Sequence, residues 1–228
     1  MSVRVIVREA GVSDSPTDLA LLDDGERARA ERKRQATPFV TGHALVRRVL
    51  GELLDRDPAT LVFERRCTTC DSVKHGKPHL VGTPGWHFSL SYTPDVAVVA
   101  VAQGVDVGVD VEDLTDADFE GFAGATLARD EAPGFADLTG HDLLVARRVW
   151  ARKEAVLKAT GHGPVVDPSE VLVSGPLEFP ALVDWRADAP RPSAISIADV
   201  ALSAGDHRAA VAALTAEPLE VVVSPSVR

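Results

Sequence analysis

Two short stretches of the sequence place groups able to hold cations and phosphates at regular spacing. In Asp106-Val107-Gly108-Val109-Asp110-Val111-Glu112, a strand period of two sends the three valines to one face and Asp106, Gly108, Asp110 and Glu112 to the other. Asp110 and Glu112 are then neighbours about 7 Å apart. Carboxylates so placed can reach one hard cation or simply face water, and solvent is the ordinary reason for such alternation. Gly108 on the same face marks a point where a ligand or another backbone comes close.

The second stretch is Trp150 to Lys158. Helical spacing puts Val145, Ala146, Val149, Trp150, Val156 and Leu157 on one apolar stripe, with Lys153 in its middle. A lysine there must snorkel, pair or meet an anion. Glu154 and Lys158 lie four residues apart on the stripe's edge, where a helix salt bridge is the plain account. Lys-Glu-x-x-x-Lys opposite Asp-x-Glu makes three carboxylates for a metal and two ammonium groups for phosphate. Mg²⁺ suits such a set, because it binds few carboxylates together with substrate phosphate oxygens.

The two cysteines of the chain form a third candidate. Cys67, Cys70 and His75 are three potential zinc ligands, with His79 a fourth if the loop curls back past Pro78, whereas structural zinc sites take four. A redox pair would open a helix in a thioredoxin-like setting, which is missing here. The plain reading is two small thiols packing a loop.

The elements that must position these groups are legible in outline. Residues 3–8 read as a strand, Asp24 to Lys33 and Gly42 to Leu54 as helices, and the run from His87 to Gly104 as a hairpin turning at Thr93-Pro94-Asp95. After the alternating strand comes a polar stretch with a short helix, then a long helix from about His141 to Thr160, stopped by Gly161 and Gly163. Residues 163–193 read as proline-rich loops with one or two short strands, followed by a second hairpin and a frayed tail. Each half thus runs helix, proline-bearing stretch, hairpin. The expected fold is α+β: two similar halves, residues 1–104 and 105–228, related by a pseudo-twofold axis. Each half packs an antiparallel sheet on a long helix, and the active site lies in the cleft between them.

Composition sets outer bounds. The chain has 228 residues, 45% hydrophobic and 25% charged, with a net charge of −10, which argues against general nucleic-acid binding. No apolar run approaches a membrane span, and the strand-like N-terminus carries no export signal. A cytoplasmic location is therefore expected. Between Arg27 and Leu50, seven basic residues face one acid, Glu31, so an acidic chain carries one anion-attracting segment.

GKPHL (76–80), FSLSYT (88–93), GVDVED (108–113) and WARKEAVLKATGHG (150–163), in this order and at these separations, resemble the 4'-phosphopantetheinyl transferases of the longer, pseudo-dimeric Sfp type that serves polyketide and nonribosomal peptide synthases. The resemblance implies transfer of the phosphopantetheine arm of coenzyme A to a serine of an acyl or peptidyl carrier protein, with release of adenosine 3',5'-bisphosphate. Asp110, Glu112 and Glu154 would hold Mg²⁺, or Mn²⁺ in its place. Glu154 would assist removal of the serine proton. Lys158 would contact the phosphates, and Lys153 would lie near the pantetheine or pyrophosphate. Gly76, Lys77 and Pro78 would meet the adenosine end, Ser89, Ser91 and Tyr92 the phosphates, and Arg32, Lys33 and Arg34 the 3'-phosphate.

Two departures stand out. The family commonly has a histidine where this chain has Tyr92, and a phenol donates one hydrogen bond but carries no positive charge. A basic residue usual before the aromatic start of the first-half helix is replaced by Pro38. The alternatives are a carrier-binding or regulatory homologue with weakened catalysis and, on the cysteines alone, a zinc-ribbon nucleic-acid binder. An internal duplication supplies its own interface, so a monomer is expected, with coenzyme A and a carrier protein as partners and neither nucleic acid nor membrane.

Overall fold

A computed structural model describes residues 1–67, 70–73, 76–113, 127–128, 131, 141–163 and 165–225, with the backbone alone for 141–145 and 225. The first half contains strand β1 (Val3–Gly11), helices α1 (Pro16–Leu21), α2 (Asp24–Ala30) and α3 (Ala36–Leu54), a 3₁₀ turn at Pro58–Thr60, and strands β2 (Phe63–Arg66), β3 (Lys77–Leu80), β4 (Trp86–Tyr92) and β5 (Val96–Gln103). The second contains β6 (Val107–Asp113), helix α4 (His141–Thr160), a 3₁₀ turn at Pro168–Glu170, and β7 (Val171–Val173), β8 (Leu182–Trp185), β9 (Ser196–Val200) and β10 (His207–Ala213), followed by β11 (Leu219–Pro225).

The duplication is real and closer than its sequence trace. One sheet runs β11-β1-β5-β4 and the other β6-β10-β9, so β1, β5 and β4 stand in the order of β6, β10 and β9. Each half then adds a small antiparallel pair, β2 with β3 and β7 with β8. Even the 3₁₀ turns match: the carboxylates of Asp57 and Asp167 accept from the amides of Ala59 (3.0 Å) and Ser169 (2.9 Å), each before a proline that fits the first helical position.

Side-chain alternation builds the core. On β5, Ala97, Val99 and Val101 pack against α3 through Leu45, Val46, Val49 and Leu50. Val96, Val98, Ala100 and Ala102 face the other way, onto Val107, Val109 and Val111 of β6 and Ala209 and Val211 of β10. On β10 the intervening Ala210 and Ala212 pack under α4. The molecule is therefore helix, sheet, sheet, helix, with the two sheets sharing one valine-rich layer.

Several boundaries differ from the sequence reading. Helix α3 starts six residues before Gly42, at Ala36. Pro38 is its third residue, where no amide partner is lost. Helix α2 stops at Ala30, so Arg32, Lys33 and Arg34 lie beyond it. Helix α1, capped by Ser15, and β11, which pairs parallel with β1, were not expected; Ser224 and Pro225 of the expected tail belong to β11. The polar stretch assigned a short helix falls almost wholly outside the described residues. No helix among those described is long and apolar enough to cross a membrane.

Candidate active site

β4 and β6 are edge strands of their sheets and run side by side. Serine hydroxyls bridge the seam between them. Ser89 Oγ accepts from the amide of Val109 at 3.1 Å, and Ser91 Oγ donates to Asp110 Oδ1 at 2.8 Å. Both serines lie on the face of β4 that period two assigns to that seam.

Helix α4 lies directly over the polar face of β6. A Cβ on Gly108 would fall 2.0 Å from the Ala155 carbonyl oxygen and 2.4 Å from the Ala159 nitrogen, so the close approach implied by that glycine is made by a helix backbone. At this depth Lys158 Nζ reaches Asp110 Oδ1 at 2.5 Å and Ser91 Oγ at 2.9 Å. Asp110 is 3% exposed, and its Oδ2 is buried with no hydrogen-bond partner among the described residues.

Glu112 and Glu154 complete an acidic cluster. Glu112 accepts from Arg147 Nη1 at 2.7 Å. Burial and the adjacent Asp110 nevertheless push its carboxyl up to about 8. Burial and Asp110 also raise Glu154 to about 7, against the pull of Lys158. Burial and Asp110 thus outweigh the cations beside each glutamate, Arg147 at Glu112 and Lys158 at Glu154.

The donor set fits a hard divalent cation by type: three carboxylates, one with a buried oxygen left over. Among the described residues, no three His, Cys, Asp or Glu side chains converge in metal-holding geometry. Arg147 engages Glu112 and Lys158 engages Asp110.

A cleft of about 780 Å³ opens beside this cluster, lined from one half by Arg29, His43, Arg65, Lys77, the serines and Tyr92, and from the other by Leu157, Lys158, Gly161 and Gly163. Among the described residues, six lysines and arginines line it and no aspartate or glutamate, in a chain of net charge −10. Such a wall selects polyanions.

The structure gathers most of the residues singled out by sequence, with some in unexpected company. Lys77 Nζ binds Asp106 Oδ1 at 2.7 Å and the Ala159 carbonyl at 3.0 Å, capping the negative end of α4. That carbonyl is available because the chain leaves the helix through Gly161 at φ 76°, with the His162 amide returning to the Leu157 carbonyl. His87 Nδ1 also meets Asp106 Oδ1, at 3.1 Å. Gly76, at φ 108°, packs so tightly on Arg66 that a Cβ would sit 2.4 Å from its carbonyl. Pro78 lines the cleft beside it. Tyr92 rests against Gly42 of α3, and burial raises its phenol against the pull of Lys158 and Arg65, so it remains a donor.

Lys153 is not brought to this group. Its side chain is 0% exposed, and Nζ bonds Glu131 Oε2 at 2.5 Å and the Pro168 carbonyl at 3.2 Å. Of the options open to a lysine on an apolar stripe, pairing is the one used. Arg32 and Lys33 line the cleft from exposed positions, whereas Arg34 is exposed and does not line it. Cys67 is buried and Cys70 exposed, while His75, the third proposed zinc ligand, lies outside the described residues.

Arg29, Arg65 and His43 line the cleft and were not singled out. The signal for Arg29 was present in the basic segment, but only the end of α2 separates it from Arg34. Arg65 stands two residues before Cys67, in a stretch read for its cysteines.

Residues 106–212 match the family model of the 4'-phosphopantetheinyl transferase superfamily. This segment carries Asp110, Glu112, Glu154 and Lys158. The chain is 30% identical over 148 residues to the 4'-phosphopantetheinyl transferase psf-1 of Bacillus pumilus, covering 60% of this chain and 57% of the relative. It is 31% identical over 152 residues to the 4'-phosphopantetheinyl transferase HetI of Nostoc sp., covering 63% and 61%. The matched stretch thus spans less than two thirds of either relative.

Proposed function

We propose that this protein transfers the 4'-phosphopantetheine group of coenzyme A to a serine of an apo acyl or peptidyl carrier protein, in the cleft between residues 1–104 and 105–228. The observation that carries the reading is a cleft lined, among the described residues, by six lysines and arginines, one of which, Lys158, pairs with Asp110. A cofactor with a diphosphate and a phosphate monoester matches that wall in charge.

In the transfer, the carrier serine oxygen forms a bond to the phosphorus bearing the pantetheine arm. The bond from that phosphorus to the bridging oxygen breaks, and adenosine 3',5'-bisphosphate leaves. Glu154, raised to about 7, is matched to accept the serine proton near neutral pH. Lys158 donates to the phosphate oxygens and offsets charge gathering on the leaving group. Ser91 orients both Lys158 and Asp110. Asp110, Glu112 and Glu154 would hold Mg²⁺, which when bound neutralises diphosphate charge.

The same reading places the enzyme in the cytoplasm as a monomer, serving polyketide or nonribosomal peptide assembly. Its test is intact-mass analysis of apo carrier proteins incubated with the protein, coenzyme A and Mg²⁺. A carrier gains one phosphopantetheine group if the proposal holds. Carrier binding with no mass gain across a panel of carriers would instead favour a regulatory homologue.

A further inference from the structure

Lys77 lines the cleft, yet its ammonium is engaged elsewhere. Nζ donates to Asp106 Oδ1 at 2.7 Å and to the Ala159 carbonyl at 3.0 Å, and the side chain is 17% exposed. Two of an ammonium's three donors are therefore held by the protein. His87 Nδ1 donates to the same Asp106 oxygen at 3.1 Å. Against the cost of burial, Lys77 and then His87 hold the Asp106 carboxyl below its ordinary range, which keeps it charged as the anchor of the group. Burial in turn lowers the Lys77 ammonium against the pull of Asp106, so each partner of the pair depends on the other.

Four segments of chain meet at this cluster. Lys77 comes from β3 and His87 from β4, both in the first half; Asp106 directly precedes β6 and Ala159 lies in the last turn of α4, both in the second. The Ala159 carbonyl is among the four at a helix end for which the helix supplies no amide, and a cation there also meets the negative end of the helix dipole. Its neighbour in sequence is Lys158. The peptide unit joining the two is seated on Gly108, where a Cβ would fall 2.4 Å from the Ala159 nitrogen and 3.0 Å from the Lys158 carbonyl carbon. Gly108 thus sets how deep this turn lies, and Lys77 ties it to the first half.

We propose that Lys77, Asp106 and His87 form a latch between the two halves that holds the last turn of α4, and with it Lys158 Nζ, against Asp110 and Ser91. Lys77 and Asp106 are then positioning residues for the transfer, and the Lys77 ammonium is not a nucleotide contact. The proposal rests on the transferase reading for its consequence: Lys158 must meet the diphosphate from a fixed point, and a displacement of ~1 Å costs on the order of 10²-fold in rate. Apart from Lys77 and Lys158, the cations that line the cleft among the described residues are Arg29, Arg32, Lys33 and Arg65, all in the first half. They keep their places when α4 loosens, so the latch acts on kcat and leaves the binding of coenzyme A largely intact.

The test compares Lys77→Met, Asp106→Asn and the double variant of the full chain, in carrier-modification kinetics and in equilibrium binding of coenzyme A, both well below the melting transition. Each single variant should lower kcat about 10-fold or more, while the Kd for coenzyme A stays within about threefold. The double variant should fall no more than about threefold below the worse single, because one broken link already frees the helix end. Lys77→Arg should recover part of the rate, since a guanidinium can bond carboxylate and carbonyl together. Independently of turnover, hydrogen exchange of the amides of residues 159–162 should quicken at least ~10-fold in both single variants, with those of β5 unchanged. Coenzyme A binding that is weakened by Lys77→Met and unchanged or tightened by Asp106→Asn, which frees the ammonium, returns Lys77 to the nucleotide and overturns the latch. Rates within about threefold of wild type in both singles, losses that multiply in the double, or unchanged exchange at 159–162 overturn it as well. A wild type that modifies no carrier sinks the transferase reading, and the exchange measurement still decides whether the latch holds α4.

Discussion

Lys158 and Asp110 meet across the contact between α4 and β6, Nζ to Oδ1 at 2.5 Å, with Ser91 Oγ bonded to both. The pair joins a helix residue to a strand residue 48 positions away, and it leaves Asp110 Oδ2 buried and open. The lysine thus holds the carboxylate in place while one oxygen stays available for a further charge.

Removing either partner should therefore disable transfer. Asp110→Asn keeps the shape and loses the charge; Lys158→Ala removes the donor. Each is expected to lower kcat by roughly 10²-fold or more, measured by the rate of carrier mass gain, with circular dichroism confirming the fold. Activity within about threefold of wild type in both variants, far short of that loss, would remove this pair from the chemistry.

The raised carboxylates predict a pH dependence of stability. Burial and Asp110 raise Glu154 to about 7 and Glu112 to about 8. A carboxyl raised on folding binds more protons in the folded state, so its cost is absent below the unfolded value near 4.5 and grows as pH rises through the folded value. In metal-free buffer Glu154→Gln should stabilise the protein increasingly from about pH 5 to 7, and Glu112→Gln on to about pH 8, each by roughly 1 kcal/mol or more, ~3 °C in melting temperature. Loss of the Arg147 bond offsets part of the gain at Glu112. Mg²⁺ should stabilise the wild type more at pH 8 than at pH 6, because it binds the deprotonated groups. A variant-minus-wild-type difference that is flat with pH would contradict the cluster.

Lys153 distinguishes a ligand from a strut. Its pairing with Glu131 Oε2 and the Pro168 carbonyl predicts that Lys153→Ala costs stability, about 3 kcal/mol, because it strands a buried carboxylate. Binding of coenzyme A measured below the melting transition should stay within about twofold, since Lys153 is not among the described residues that line the cleft. A stable variant with weakened nucleotide binding would restore Lys153 to the phosphate site.

Gly108 predicts the tightest steric constraint. With a Cβ 2.0 Å from the Ala155 carbonyl oxygen, Gly108→Ala must push α4 off β6 or bend the strand. A loss of about 3 kcal/mol or more is expected, with impaired transfer because Lys158 and Asp110 are carried by those two elements. Denaturant melts showing less than about 1 kcal/mol of change would show that the helix can move freely.

The sequence disclosed this site unevenly, for physical reasons. Asp110, Glu112 and Lys158 were legible because periods of two and 3.6 fix which side chains share a face, and those faces do meet. Lys153 was misleading: periodicity identified a buried lysine but could not name Glu131, more than twenty positions away, as its partner. Arg29 and Arg65 were missed because only tertiary packing brings α2 and β2 to the same cleft. The early start of α3 was hidden by Pro38, which reads as a break until its place in the first turn is known. β11 was missed because its valines pair with a strand more than two hundred residues earlier.

β11 also determines what a divided chain would do. Its seven residues lie along β1 from Val3↔Leu219 to Glu9↔Pro225, so β11 shields an edge of β1. A fragment ending near Gly104 would present that row of amides and carbonyls to any passing strand, a template for aggregation. Supplying the second fragment in trans should restore solubility as well as activity, and a second fragment truncated before Leu219 should restore neither, even though it keeps Asp110, Glu112 and Glu154.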